Sequence, residues 1–130
     1  MKTLLGIDYG DRKVGVAISG GLLAEPLDVI RFKSEESLLN ALSRFIEKER
    51  VDEIVVGVSA QESAQKALHF GETLKKHFHL PVHFQDEALS TLEAQMLSLE
   101  AGMKRVKRKK KEDAFAAALI LQSYLDETVI

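Results

Sequence analysis

No cysteine occurs among the 130 residues of the chain, which excludes disulfides, thiolate metal sites, zinc knuckles and cysteine nucleophiles. Any chemistry must run on oxygen and nitrogen groups, and a reducing compartment fits. A long apolar run is missing as well: the N-terminal stretch Met1-Lys2-Thr3-Leu4-Leu5-Gly6-Ile7 is interrupted by Asp8 before it could form a signal-peptide core or a membrane span. The expectation is a cytoplasmic protein without a membrane partner. Net positive charge is absent too, since the formal net charge is −2 and gives no global attraction to nucleic acid. Neither an internal repeat nor a Pro/Ser-rich linker is visible, so one domain over residues 1–130 is expected from a chain of this length.

The residues that are present follow clear periods. Leu4 to Tyr9 and Val14 to Ile18 are short apolar runs flanking Gly10-Asp11-Arg12-Lys13, a strand–turn–strand pattern. Gly20-Gly21 ends the second run, and Pro26 opens a third through Val29, Ile30 and Phe32. Ser34 is placed to cap a helix that carries Glu35 and Glu36 in its first turn and Leu38, Leu39, Leu42, Phe45 and Ile46 on one face. Ile54-Val55-Val56-Gly57-Val58 reads as a strand covered on both faces. Ala64, Ala67, Leu68, Gly71, Leu74 and Phe78 predict a second helix, and Pro81 to Phe84 a fifth strand ending near Asp86-Glu87. Ser90 with Glu93 predicts a third helix closed by Gly102. The last helix is expected from Asp113, apolar nearly all round through Leu121. The order is βββαβαβαα, an α/β domain with an antiparallel hairpin beside parallel strands and helices on both faces.

Strands of that arrangement bring Asp8 and the Asp86-Glu87 pair to one edge of the sheet, and a final helix starting there would add Asp113. Crowded carboxylates repel one another unless a hard cation such as Mg²⁺ or Mn²⁺ accepts their oxygens. Two such ions about 3.5–4 Å apart can activate water and stabilise a leaving oxygen in phosphodiester hydrolysis. A single Asp at a strand end or helix start is ordinarily a turn former or a cap. Asp8 is different, because a charge inside the apolar strand Gly6-Ile7-Asp8-Tyr9-Gly10 costs stability unless it has a partner or a task. Lys104, Arg105, Lys107, Arg108, Lys109, Lys110 and Lys111 gather positive charge just before Asp113 in a tract expected to be mobile. There they could hold a phosphate backbone, with Arg12 and Lys13 adding contacts from the hairpin. His77, His79 and His83 lack an acid at ligand spacing and are not read as a zinc site. The glycines of the first hairpin lead into a strand, not the helix that a phosphate-binding nucleotide loop requires.

Taken in order, Gly6-Ile7-Asp8-Tyr9-Gly10, Arg12-Lys13-Val14-Gly15-Val16-Ala17, Pro26-Leu27, Val55-Val56-Gly57, Asp86-Glu87 with Leu89-Ser90-Thr91, and Asp113-Ala114 through Leu125 resemble the YqgF family over the whole chain. That family is similar to the Holliday-junction resolvase RuvC and is described as a resolvase or a pre-16S ribosomal RNA nuclease. The resemblance implies a ribonuclease H-like fold with a five-stranded mixed sheet of order 3-2-1-4-5. It also implies a divalent-metal nuclease, using Mg²⁺ or Mn²⁺, whose catalytic and metal-holding acids map onto Asp8, Glu87 and Asp113. RNA is the expected substrate ahead of a DNA junction, and a monomer or weak homodimer the expected state.

The chain departs from the family pattern at two places: Gly57-Val58-Ser59 leads almost directly into a helix where a longer polar loop is usual, and Ala88 stands where an arginine is usual. A non-catalytic nucleic-acid-binding or ribosome-associated module of the same fold is therefore the alternative. In the implied sheet Asp8 and Glu87 lie two strands apart, roughly 10 Å at the backbone, so the metal is expected to bind weakly. An actin-like nucleotide-binding protein shares such a hairpin but needs a second phosphate loop in a far longer chain.

Overall fold

The computed structural model describes residues 2–58, 63–86 and 105–128. Within them the strands β1 (Leu4–Tyr9), β2 (Lys13–Ser19) and β3 (Ala24–Arg31) precede α1 (Glu35–Glu49), β4 (Glu53–Val58), α2 (Ser63–Phe78), β5 (Val82–Asp86) and α3 (Arg105–Thr128). The expected helix between Ser90 and Gly102 lies outside the described residues.

The five strands form one sheet of order β3-β2-β1-β4-β5. β2 runs antiparallel to β1 and β3, while β4 lies parallel to β1 and to β5. The alternation of side chains along a strand divides the apolar residues between the two faces. Leu5, Ile7, Val14, Val16, Ile54 and Val56 join Leu38 and Leu42 of α1 and Phe70 and Leu74 of α2 in the larger core. Leu4, Ala17 and Val55 join Ala117, Ile120 and Leu121 of α3 in the smaller one.

Local signals account for the helix limits. Ser34 caps α1 by accepting from the Ser37 amide at 3.2 Å, and the Ser37 hydroxyl accepts from the Ser34 amide at 3.3 Å, so a serine fills the return half of the capping box. Arg50 ends α1 in the left-handed region, φ 54°. On α2 the buried line is Ala67, Phe70, Gly71 and Leu74, and Leu68, expected on that line, stays 39% exposed. It is one residue off the stripe, about 100° round the helix from Ala67.

The last helix corrects one expectation. It begins at Arg105, so the basic residues from Arg105 to Lys111 form its first two turns, not a mobile loop, and Asp113 lies in the third turn. Lysine and arginine are good helix formers, and the Ala-rich segment behind them anchors the helix by burying Ala114, Ala116, Ala117 and Ala118.

At the opposite end of the smaller core, Glu53 accepts from His83 Nε2 at 2.6 Å and pairs with Lys2 at 3.1 Å, and His83 stacks on Tyr124 at 5.0 Å. The hydrogen bond from His83 is the main reason the Glu53 carboxyl titrates below its ordinary value of 4.5. A depressed acid contributes stability that is complete above that ordinary value and is lost as pH falls through the folded-state value. Glu53→Gln is therefore expected to lower stability by about 1 kcal/mol near neutral pH, with the difference closing in acid. Urea unfolding midpoints of both proteins across that range check it.

Candidate nucleic-acid and metal site

Asp8 is the fifth residue of β1 and shares its face with Leu4 and Gly6, the face covered by α3. In the β1–β2 ladder it stands directly opposite Gly15. A Cβ at Gly15 would collide with the carbonyl group of Asp113 and come within 3.0 Å of the Ala114 amide. The missing side chain is therefore what seats the α3 backbone on β2, and the residue seated there is Asp113. Gly6, on β1 two residues before Asp8, seats α3 on that strand in the same way, since an added Cβ would meet Leu121 Cβ at 2.8 Å and the Ala117 carbonyl at 3.0 Å. Two strand glycines thus fix the height and register of the helix that delivers the second acid.

The result is a cleft of about 460 Å³ lined by Asp8, Tyr9, Gly10, Asp11, Arg12, Lys13 and Asp113. Asp8 and Asp113 are both half-buried. Lys13, first residue of β2 and on the same face as Gly15, places its Nζ 2.9 Å from Asp113 Oδ2, with the Lys13 side chain 46% and the Asp113 side chain 32% exposed. The turn between the strands is tied to α2 by Lys66, whose Nζ is 3.2 Å from Asp11 Oδ1. The turn also accepts from the Phe32 amide at 3.1 Å through the Arg12 carbonyl. Arg12 is exposed on the rim.

Tyr9 stacks on Phe70, ring centroids 4.4 Å apart. Burial foremost, then the Glu35 and Asp11 carboxylates, pushes its phenol up from 10.0. It stays protonated at neutral pH and can donate but not act as a base.

Of the acids expected from sequence, Asp8 and Asp113 meet in this cleft. Glu87 lies outside the described residues. Among the described residues no group of three or more His, Cys, Asp or Glu could hold a metal ion. The two acids that meet offer only hard oxygen donors, the set that suits Mg²⁺ or Mn²⁺, and a cation already stands against one of them in the form of Lys13.

Of the basic residues, Arg12 and Lys13 line the cleft. Arg105, Lys107, Arg108, Lys109, Lys110 and Lys111 lie on α3 ahead of Asp113, and Lys104 is outside the described residues. His83 is engaged with Glu53 and Tyr124, away from the cleft. Asp86, at the end of β5, pairs in register with Val58 and so belongs to the face covered by α1 and α2. The sequence reading missed the seating role of Gly15 and the pairing of Lys13 with Asp113. The signal for the first was present as small residues, Gly6, Gly15 and Ala17, on one face of a hairpin beside an Ala-rich helix.

Three comparisons bear on this geometry. A family model described as RuvX, Holliday junction resolvase, matches residues 2–127. A protein of Dictyoglomus thermophilum named "Putative pre-16S rRNA nuclease" is 41% identical over 133 residues, covering 96% of each chain. One of the same name from Lactiplantibacillus plantarum is 42% identical over 134 residues, covering 95% of this chain and 93% of its own. Among solved structures, RuvC of T. thermophilus bound to a Holliday junction substrate superposes with a TM-score of 0.62 at 18% identity, covering 98% of this chain and 97% of that one. The fowlpox virus Holliday junction resolvase superposes with a TM-score of 0.62 at 13% identity, covering 98% and 99%. These two likenesses speak for the fold, and it is the resolvase type of ribonuclease H fold.

Proposed function

The chain belongs to the RuvX family of Holliday junction resolvases, and from that membership we propose that it is a divalent-metal-dependent nuclease hydrolysing phosphodiester bonds in structured nucleic acid. The observation that carries the proposal is the seating of Asp113 on Gly15, directly across the ladder from Asp8. Packing of α3 accounts for the glycine but not for the acids Asp8 and Asp113, whereas a hard-cation site needs two oxygen donors held on rigid elements.

Asp8, Asp113 and Glu87 are the residues we assign to Mg²⁺ or Mn²⁺, held weakly. When bound, the ion lowers the pKa of a water and stabilises the leaving oxygen. The protein's own part is to hold the carboxylates and orient the strand. Arg12 at the rim and the basic tract from Lys104 to Lys111 supply cations for the phosphate backbone, whose hold weakens steeply with salt.

Pre-16S rRNA, cut at its 5′ end, is the substrate we favour over a DNA junction. Relatives named for it share about two-fifths of their residues with this chain, whereas the two Holliday junction resolvase structures share fewer than one in five. No described helix is long and apolar enough to cross a membrane, and we place the protein in the cytoplasm as a monomer or weak homodimer. The test is cleavage of precursor 16S rRNA and of a four-way DNA junction by the same protein, with Mg²⁺, with Mn²⁺ and with chelator. Metal-dependent cutting of the RNA at its 5′ leader is expected. Cutting of the junction alone would reverse the substrate order, and cutting of neither would contradict the enzyme reading.

A further inference from the structure

Among the described residues, the cation standing against Asp113 is part of the chain. Lys13 Nζ lies 2.9 Å from Asp113 Oδ2, inside the cleft that Asp8 also lines. The other lysine of this rim, Lys66, is engaged by Asp11 at 3.2 Å and does not line the cleft. Lys13 is tethered at the first position of β2, two residues from Gly15, so its ammonium is held near Asp113 without having to be recruited. A monovalent ammonium and a divalent ion both seek the same carboxylate oxygen, and their charges repel at this range.

Resting on the reading of the cleft as a metal site, we infer that Lys13 is the resident cation of that site and exchanges with the divalent ion. Without metal it neutralises Asp113 beside Asp8 and keeps the two acids together. When metal enters, the ammonium is displaced from Asp113 towards the cleft mouth, where its next partner is a phosphate oxygen of the nucleic acid, bound as a point charge. Lys13 is thus a positioning residue that makes metal binding weak in the free protein. It also couples metal binding to substrate binding, because the phosphate takes up the cation that the metal expels.

Mn²⁺ binding to the full chain, read from the loss of the free-ion electron paramagnetic resonance signal, tests this with Lys13→Met, Lys13→Arg and Lys66→Met. Lys13→Met is expected to bind Mn²⁺ roughly fivefold more tightly or better, the scale of a half-exposed ion pair that no longer has to be broken. Lys13→Arg keeps a cation and should stay near wild type, as should Lys66→Met. Unchanged or weaker binding by Lys13→Met, or equal tightening by Lys66→Met, overturns the exchange. Failure of the wild type and Lys13→Met alike to take up Mn²⁺ would instead remove the metal reading on which it rests. The wild-type protein supplies a second measurement that needs no variant: the Lys13 ammonium resonance should move on Mg²⁺ titration in step with that of the Asp113 carboxylate. A Lys13 signal that stays fixed while the Asp113 signal moves contradicts the exchange.

Discussion

Gly15→Ala is expected to destabilise the protein by about 2–3 kcal/mol, as read from urea unfolding. It should also remove most nuclease activity in the molecules that still fold. The added methyl meets backbone, the carbonyl group of Asp113 and the Ala114 amide, and a helix backbone cannot turn aside as a side-chain tip can. Relief requires α3 to lift from β2, and the residue carried away is Asp113. Gly20→Ala is the matched control, since nothing lies within 4 Å of a Cβ at that position. Its effect should stay within about 0.5 kcal/mol. Equal tolerance of both substitutions would show that α3 is not seated through Gly15.

Asp8→Asn should lower metal-dependent cleavage by at least about a hundredfold, more than the loss typical of removing a group that merely supports a metal ligand. The substitution keeps the size of a half-buried residue, so unfolding should shift by no more than about 1 kcal/mol. Asp113→Asn should show the same loss. The double variant should lose scarcely more than either single one, because groups that hold one ion act as a unit. Additive losses would mean that the two acids serve separate purposes. A large fall in stability with Asp8→Asn would mean that Asp8 is a structural acid after all.

Much of the fold could be read from the sequence because its signals are local and periodic. The apolar runs Leu4 to Tyr9 and Ile54 to Val58 marked central strands, and Ser34 marked the start of α1 to the residue. The sheet order came from family resemblance, since pairing between distant strands leaves no local trace. The start of α3 was misplaced by eight residues, Arg105 against Asp113. A charge run looks like a solvated loop in composition, while the same lysines and arginines are good helix formers once a buried apolar segment holds the far end of the helix.

Asp8 was legible as an oddity, a charge within an apolar strand. What the sequence could not display was the contact across it. That Gly15 would lie opposite Asp8 follows from the hairpin register, but that its missing side chain would receive the Asp113 backbone depends on the docking of a helix almost a hundred residues later. The Lys13–Asp113 pair is hidden for the same reason. From sequence Lys13 was a hairpin cation free to meet phosphate, and in the fold its nearest partner is an acid of the site.

The central claim is that Asp8 and Asp113 hold one divalent ion where α3 crosses β2. The measurement that tests it most directly is a crystal structure of the protein grown in Mn²⁺, with the ion located by anomalous scattering. A peak is expected within metal–oxygen bonding distance, about 2.0–2.2 Å, of a carboxylate oxygen from each residue, with the Lys13 ammonium moved off Asp113. A Mn²⁺ peak bound elsewhere, with Lys13 still on Asp113 at saturating metal, would contradict it.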